Sequence, residues 1–130
     1  MSLAAVTSTL ISKIAGPITS DLRTLIILMS ADFITGIIIA GVFHRSAKSE
    51  NGCLESKAGF KGISRKCMTL IFVAAAHRLD IAMGTSYIRT AVIAAYTLNE
   101  LVSLTENAGI MGLPVPDVIK RAIDAFKNKK

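Results

Sequence analysis

TLIILMSADFITGIIIAGVF, residues 24–43, is twenty residues long and carries one charge, Asp32, near its middle. At 1.5 Å rise per residue, about 20 apolar residues are needed to cross the hydrocarbon core of a bilayer. Core helices of soluble proteins are usually shorter and amphipathic. The stretch therefore predicts a membrane span, and Asp32 sets its constraint. An aspartate at the centre of a membrane helix costs roughly 2.5–3.5 kcal/mol. Such residues face the interior of a bundle or a wet cavity, and usually have a partner. The chain is expected to assemble so that Asp32 meets protein or water and not lipid.

The totals agree with this reading. The 130 residues suffice for one domain, and 52% of them are hydrophobic with a mean hydropathy of +0.54. Charged residues make up 18%, below the roughly 25% of a soluble domain. The charges lie mostly between apolar blocks. A net charge of +6 raises the possibility of nucleic acid, but the basic residues are not interleaved with aromatics, which are 5% of the chain. Basic residues flanking apolar blocks are more simply topology signals and contacts to anionic lipid. Cys53 and Cys67 lie fourteen apart without a CxxC or Cys/His cluster, and His44 and His77 are isolated, so neither metal nor disulfide is indicated. No cofactor is expected. The first twenty residues show no basic region followed by an apolar one, so no cleaved leader is expected.

Outward from residues 24–43, the pattern predicts an all-α integral membrane protein with three transmembrane helices and amphipathic helices at both ends. Residues 1–20 place Leu3, Val6, Leu10 and Ile14 at helical spacing before Gly16-Pro17. This is a short amphipathic segment suited to an interface. Thr19, Ser20 and Asp21 offer cap oxygens for the first membrane helix, over 22–43. A basic connector covers 44–66, and a second apolar block, 67–84, is interrupted by His77, Arg78 and Asp80. A third, 87–105, contains Arg89, Asn99 and Glu100, and the glycines and prolines of 106–116 end it. The tail, 117–130, is basic and amphipathic. Six basic residues in the connector and five from Thr105 onward contrast with Lys13 and Arg23 alone in residues 1–23. With three crossings both basic segments are cytoplasmic and the N-terminus is outside. Lys57, Lys61, Arg65 and Lys66 are expected to meet lipid headgroups.

Each block carries small or polar residues at intervals of four, along one helix face. These are Asp32, Gly36 and Ala40; Ala76, Asp80 and Gly84; and Ala91, Ala95, Asn99 and Ser103. Small residues let backbones approach, and polar side chains then bond across the contact, so the stripes predict oligomer or pore faces. Depth measured from the outer ends predicts an Asp32–Arg78 pair, within one subunit or between two, and an Asp80–Arg89 pair near the outer mouth. Glu100 lacks an obvious partner and is expected to face a water-filled space.

Four stretches together resemble the toxin-secretion and phage-lysis holin family: DFITGIIIAG (32–41), SKAGFKGISRK (56–66), HRLD (77–80) and NELVSLTENAGIMGLPVP (99–116). They occur in the family's order and cover most of the chain from Asp32 to Pro116. The resemblance implies a protein of the bacterial cytoplasmic membrane that accumulates harmlessly and then assembles with itself into lesions. These pass a cell-wall hydrolase (an endolysin) or an exported toxin, or collapse the membrane potential, and so cause lysis. Competing readings are a small channel or transporter subunit, which uses the same stripes selectively, and a membrane adaptor docking a cytoplasmic partner. An enzyme is not expected, because no nucleophile–base constellation, metal-ligand spacing or phosphate loop appears, the GFKG of 59–62 being too short for one.

Overall fold

A computed structural model of the chain describes residues 2–46, 48 and 51–128, and the described residues are helical with no strand. Five α-helices follow in order: α1 (Leu3–Ala15), α2 (Ser20–Ile38), α3 (Ser56–Met83), α4 (Ile88–Ile110) and α5 (Asp117–Lys127). A π-helical turn, Ile39–Phe43, prolongs α2, so that Ser20–Phe43 forms 24 continuous helical residues. This helix is long and apolar enough to cross a membrane, and by the same measure of length and hydropathy the other helices are not. Glu50 of the connector, and Lys129 and Lys130 of the tail, lie outside the described residues.

Local chemistry accounts for the helix ends. The Ser2 hydroxyl accepts from the Ala5 N–H at 3.1 Å and caps α1. The Asp21 carboxylate in the first turn of α2 accepts from the Leu22 N–H at 2.8 Å and from the Thr19 hydroxyl. α3 closes at Gly84, whose φ of 68° is a left-handed conformation that glycine adopts without strain. Asp80 then caps the next helix across the bend. Its carboxylate accepts from the Thr85 hydroxyl at 2.6 Å and from the N–H groups of Ile88 and Arg89 at 3.0 and 2.9 Å.

The helix boundaries depart from the sequence expectation in two places. The connector is shorter than 44–66, because α3 begins at Ser56 and runs 28 residues, taking Gly59 and Gly62 into its interior. At Gly62 packing offsets the low helix propensity, since it brings α3 close to Phe33 of α2. α4 continues past residue 105 to Ile110. The Leu113 N–H bonds to the Ala108 carbonyl at 2.9 Å beyond it, so the glycines of this segment shape the helix end and do not interrupt the last turn.

α4 is the centre of the bundle. It packs most extensively on α2 and next on α3, whereas α2 and α3 touch each other little. α1 packs against α3, and α5 packs against α4 with Ile123 buried. Leu22, Leu25 and Met29 of α2, Val73 of α3 and Ile93 of α4 form the apolar core, with Val92 and Tyr96 packed against it. The rings of Phe72 and Tyr96 stack at 6.5 Å.

Polarity is inverted relative to a water-soluble bundle. Asp32, Asp80, Arg89, Glu100 and Asn107 are buried, Asp32 to 3% exposure, while Ile27, Ile34 and Ile71 are 65%, 56% and 56% exposed. A soluble domain of this size does not present so many large aliphatic side chains beside interior charges. Of the charges singled out within the apolar blocks, Asp32, Asp80, Arg89 and Glu100 are buried and Arg78 is exposed.

The corner between α1 and α2 admits only glycine. Gly16 has φ 87° and ψ 179°, a region essentially closed to other residues, and a Cβ there would lie 2.7 Å from Nδ1 of His77. Gly16→Ala is expected to lower stability by at least about 1–3 kcal/mol, read as the midpoint of thermal unfolding in detergent. Adding His77→Ala relieves the contact with the ring and leaves the backbone strain, so it restores only part of the loss.

Candidate functional site: a buried ionic network between three helices

Three helices each supply part of one polar network. Asp32 comes from the middle of α2, Lys66 from the first third of α3, and Glu100, Ser103 and Asn107 from one face of α4, three and four residues apart. Lys66 Nζ donates to Asp32 Oδ2 at 2.9 Å and to both oxygens of Glu100 at 3.1 and 3.2 Å. The other Asp32 oxygen, Oδ1, accepts from the Ser103 hydroxyl at 2.7 Å and from Asn107 Nδ2 at 3.0 Å. Asn107 also donates to the Thr35 hydroxyl at 2.8 Å. Asp32 therefore has both oxygens occupied by donors from the neighbouring helices. Two carboxylates share one ammonium, so the cluster carries one net negative charge when all three groups are ionised.

These contacts replace the predicted Asp32–Arg78 pair. α2 and α3 run antiparallel, and Lys66 and Arg78 lie about 18 Å apart along α3 at 1.5 Å per residue. The register that brings Lys66 to Asp32 therefore carries Arg78 beyond side-chain reach of it, and Arg78 is exposed. Lys66, expected at the lipid headgroups, is instead ion-paired inside; Lys57, Lys61 and Arg65 of the same turns are exposed. Glu100, expected to face water without a partner, is the second carboxylate of this triad.

Asp80 and Arg89 are adjacent, as predicted, but their side chains do not pair. Asp80 meets the backbone N–H of Arg89, and the guanidinium points the other way. Arg89 donates to the carbonyls of Ala15 and Pro17 at 2.8 and 2.6 Å and to the Thr19 hydroxyl at 3.2 Å. The fork geometry of arginine suits it to this corner, where the chain leaves α1 with unpaired carbonyls.

The three predicted stripes fare differently. Ala40 and Ala76 are buried and Gly36 half-buried, whereas Gly84 is exposed in the bend. On α4 the residues at intervals of four do not share one environment: Ala91, Ala95 and Asn99 are exposed, while Ser103 reaches the network. Each step of four residues in a 3.6-residue helix advances the direction by about 40°, so a four-member stripe wraps about a third of the helix. Thr35 and Asn107 escaped the sequence reading. Asn107 continues the series Asn99, Ser103 by another four residues, a signal hidden when the helix is ended at residue 105.

Beside the network, a cleft of about 530 Å³ opens between α2 and α3, bordered by Gly36, Ala40, Asn99 and the connector. The arrangement offers no nucleophile with a base. Charged and polar groups from three helices satisfy one another there.

The sequence profile of the bacteriophage holin family matches residues 9–128. An uncharacterized protein of Listeria monocytogenes is 42% identical over 108 residues, covering 82% of this chain and 71% of the relative. An uncharacterized 14.9 kDa protein from the nagH 3′ region of Clostridium perfringens is 33% identical over 124 residues, 94% of this chain and 88% of the relative. The probable holin of Bacillus phage phi105 is 31% identical over 99 residues, 75% of this chain and 67% of the relative. No solved structure matches.

Proposed function

We propose that this chain, which belongs to the bacteriophage holin family, is a non-enzymatic protein of the bacterial cytoplasmic membrane that assembles with copies of itself into lytic lesions. α2, the apolar part of α3, and α4 span the bilayer, with the N-terminus outside and the basic connector and tail in the cytoplasm. The lesions release a cell-wall hydrolase or toxin, or abolish the membrane potential.

The observation that carries this reading is the inversion of polarity, with a saturated ionic network inside and exposed isoleucines outside. Hydropathy averaged along α3 and α4 counts Asp80, Arg89 and Glu100, which face inward. The outward face of α3 bears Leu70, Ile71, Phe72 and Ile81. Arg78, exposed five residues before the end of α3, extends its head to the interface in the manner of long basic side chains near membrane surfaces. α1 and α5 rest on the bilayer surface through Leu10, Ile14, Val118 and Ile119.

The network also supports the two states that a timed lesion requires. In the closed protomer Asp32, Lys66 and Glu100 are satisfied within one chain, which makes accumulation harmless. α2 stays packed on α4 but touches α3 little, so α3 parts from α2 at the Lys66–Asp32 contact, and the same charged groups then line a hydrated lesion between copies. The exposed Ala91 and Ala95 face of α4 permits close approach of a second copy.

Induction of the protein alone in bacteria tests the reading. The expected result is normal growth, then abrupt loss of membrane potential and viability, with release of a co-expressed wall hydrolase. Unchanged growth at good expression overturns it, and narrow conductance without hydrolase release favours a channel.

A further inference from the structure

The cleft between α2 and α3 has two unlike walls. Phe33 and Ile37 of α2, with Leu54 of the connector, make one part apolar. Lys48, Lys61 and Arg65 line its rim, and among the described residues none of the three is in an ion pair. Lys48 Nζ reaches to 4.0 Å from the position of a Cβ on Gly36, so its ammonium lies over the cleft and not out in solvent. Lys61 and Arg65 are four residues apart and share a face of α3. Lys66 lies deeper, where Asp32 and Glu100 together outweigh it, so the floor of the cleft carries one net negative charge and its positive charge is confined to the rim. Glu55 is the carboxylate at the rim, leaving that end of the cleft positive. That carboxylate belongs to the N-cap residue of α3, where it offsets the positive end of the helix without capping it by a side-chain hydrogen bond, so the basic side chains alone set the charge of the rim.

We propose that this cleft is a binding site for one anionic phospholipid. Its phosphodiester sits among Lys48, Lys61 and Arg65, and an acyl chain runs along Phe33 and Ile37. Phosphate chemistry alone explains only the rim. A free phosphate ion leaves most of the roughly 530 Å³ and the whole apolar wall unfilled, whereas an amphiphile matches both halves. A seated lipid also props α2 and α3 apart beside the network, so its occupancy affects how readily the network opens. The proposal rests on α2 lying in the membrane, as argued above, and does not require that lesions form.

Native mass spectrometry of the full chain, purified in neutral detergent, reads the site directly. With phosphatidylglycerol added, one lipid is expected to stay bound per chain, with phosphatidylcholine held at least tenfold more weakly. Lys48→Gln/Lys61→Gln/Arg65→Gln is expected to weaken phosphatidylglycerol binding at least tenfold, while Lys120→Gln/Lys127→Gln on α5 leaves it unchanged. Gly62→Leu keeps every charge but fills the cleft toward Phe33, whose ring lies 3.8 Å from a Cβ at this position, and is expected to expel the lipid as well. Far-UV circular dichroism verifies that each variant retains its helices, and should the triple variant unfold, Gly62→Leu decides. Equal retention of the two lipids, retention by Gly62→Leu, or displacement by inorganic phosphate at equimolar concentration overturns the assignment. A chain that binds the lipid but does not lyse cells overturns the lesion reading and leaves this one standing.

Discussion

Lys66→Met is expected to destabilise the folded chain by about 3–5 kcal/mol, because it leaves Asp32 and Glu100 buried, close together and without their cation. Methionine retains most of the lysine stem, so the loss reports the charge and not the packing. Removing the whole ionic set should behave differently. Asp32→Asn/Lys66→Met/Glu100→Gln places neutral groups at all three positions, and Ser103 and Asn107 retain an acceptor in the amide oxygen at residue 32. The triple variant is expected to recover most of the stability that Lys66→Met loses, since replacing a buried ionic cluster outright is often neutral. Thermal or denaturant unfolding in detergent, followed by circular dichroism, measures both. If Lys66→Met unfolds with the wild-type midpoint, Lys66 does not hold the network together. In cells the single variant is expected to lyse earlier than wild type wherever it accumulates, because the closed protomer is the state it weakens.

The second large effect concerns the corner where α1 meets α2. Arg89→Leu removes three charge-assisted hydrogen bonds at once and leaves the carbonyls of Ala15 and Pro17 beside an aliphatic side chain. Each such bond contributes about 1.5–3 kcal/mol. α1 has no buried residue of its own, so little else holds it down. Tryptic cleavage after the exposed Lys13 is expected to accelerate at least about tenfold, one decade corresponding to about 1.4 kcal/mol of local opening. Total helicity should change little, because Asp80 still receives the backbone N–H of residue 89 and caps α4. Arg89→Lys reaches one acceptor in place of three and should fall between. Equal cleavage rates for wild type and Arg89→Leu count against the clamp.

Much of this molecule is legible along the chain. A twenty-residue stretch whose one charge is an aspartate announces a helix of bilayer length. Gly16-Pro17 and Gly84 mark breaks that the structure places at those residues, and the four ordered stretches identify the family that the profile match establishes. These signals survive without coordinates because hydrophobic length, backbone conformation at glycine and proline, and motif order are local properties of a sequence.

Partner choice was another matter. The demand that Asp32 be sheltered follows from its dehydration cost, and burial at 3% meets it. Which cation shelters it depends on how far α3 extends beyond its apolar block and on which turn of α3 comes level with the middle of α2. Ser56, not Cys67, begins that helix, and its eleven further residues bring Lys66 to Asp32 in place of Arg78. Likewise Ser103 belongs to the network while Ala91 and Ala95, in the same stripe, do not, because a straight helix rotates its four-residue series away from a fixed neighbour.

Solvation of each residue along the chain requires that its charged groups be enclosed by helices with apolar outer faces. That Lys66 joins Asp32 to Glu100, and that Arg89 holds the first helix, follows from antiparallel register and helix rotation, which exist only in the packed bundle.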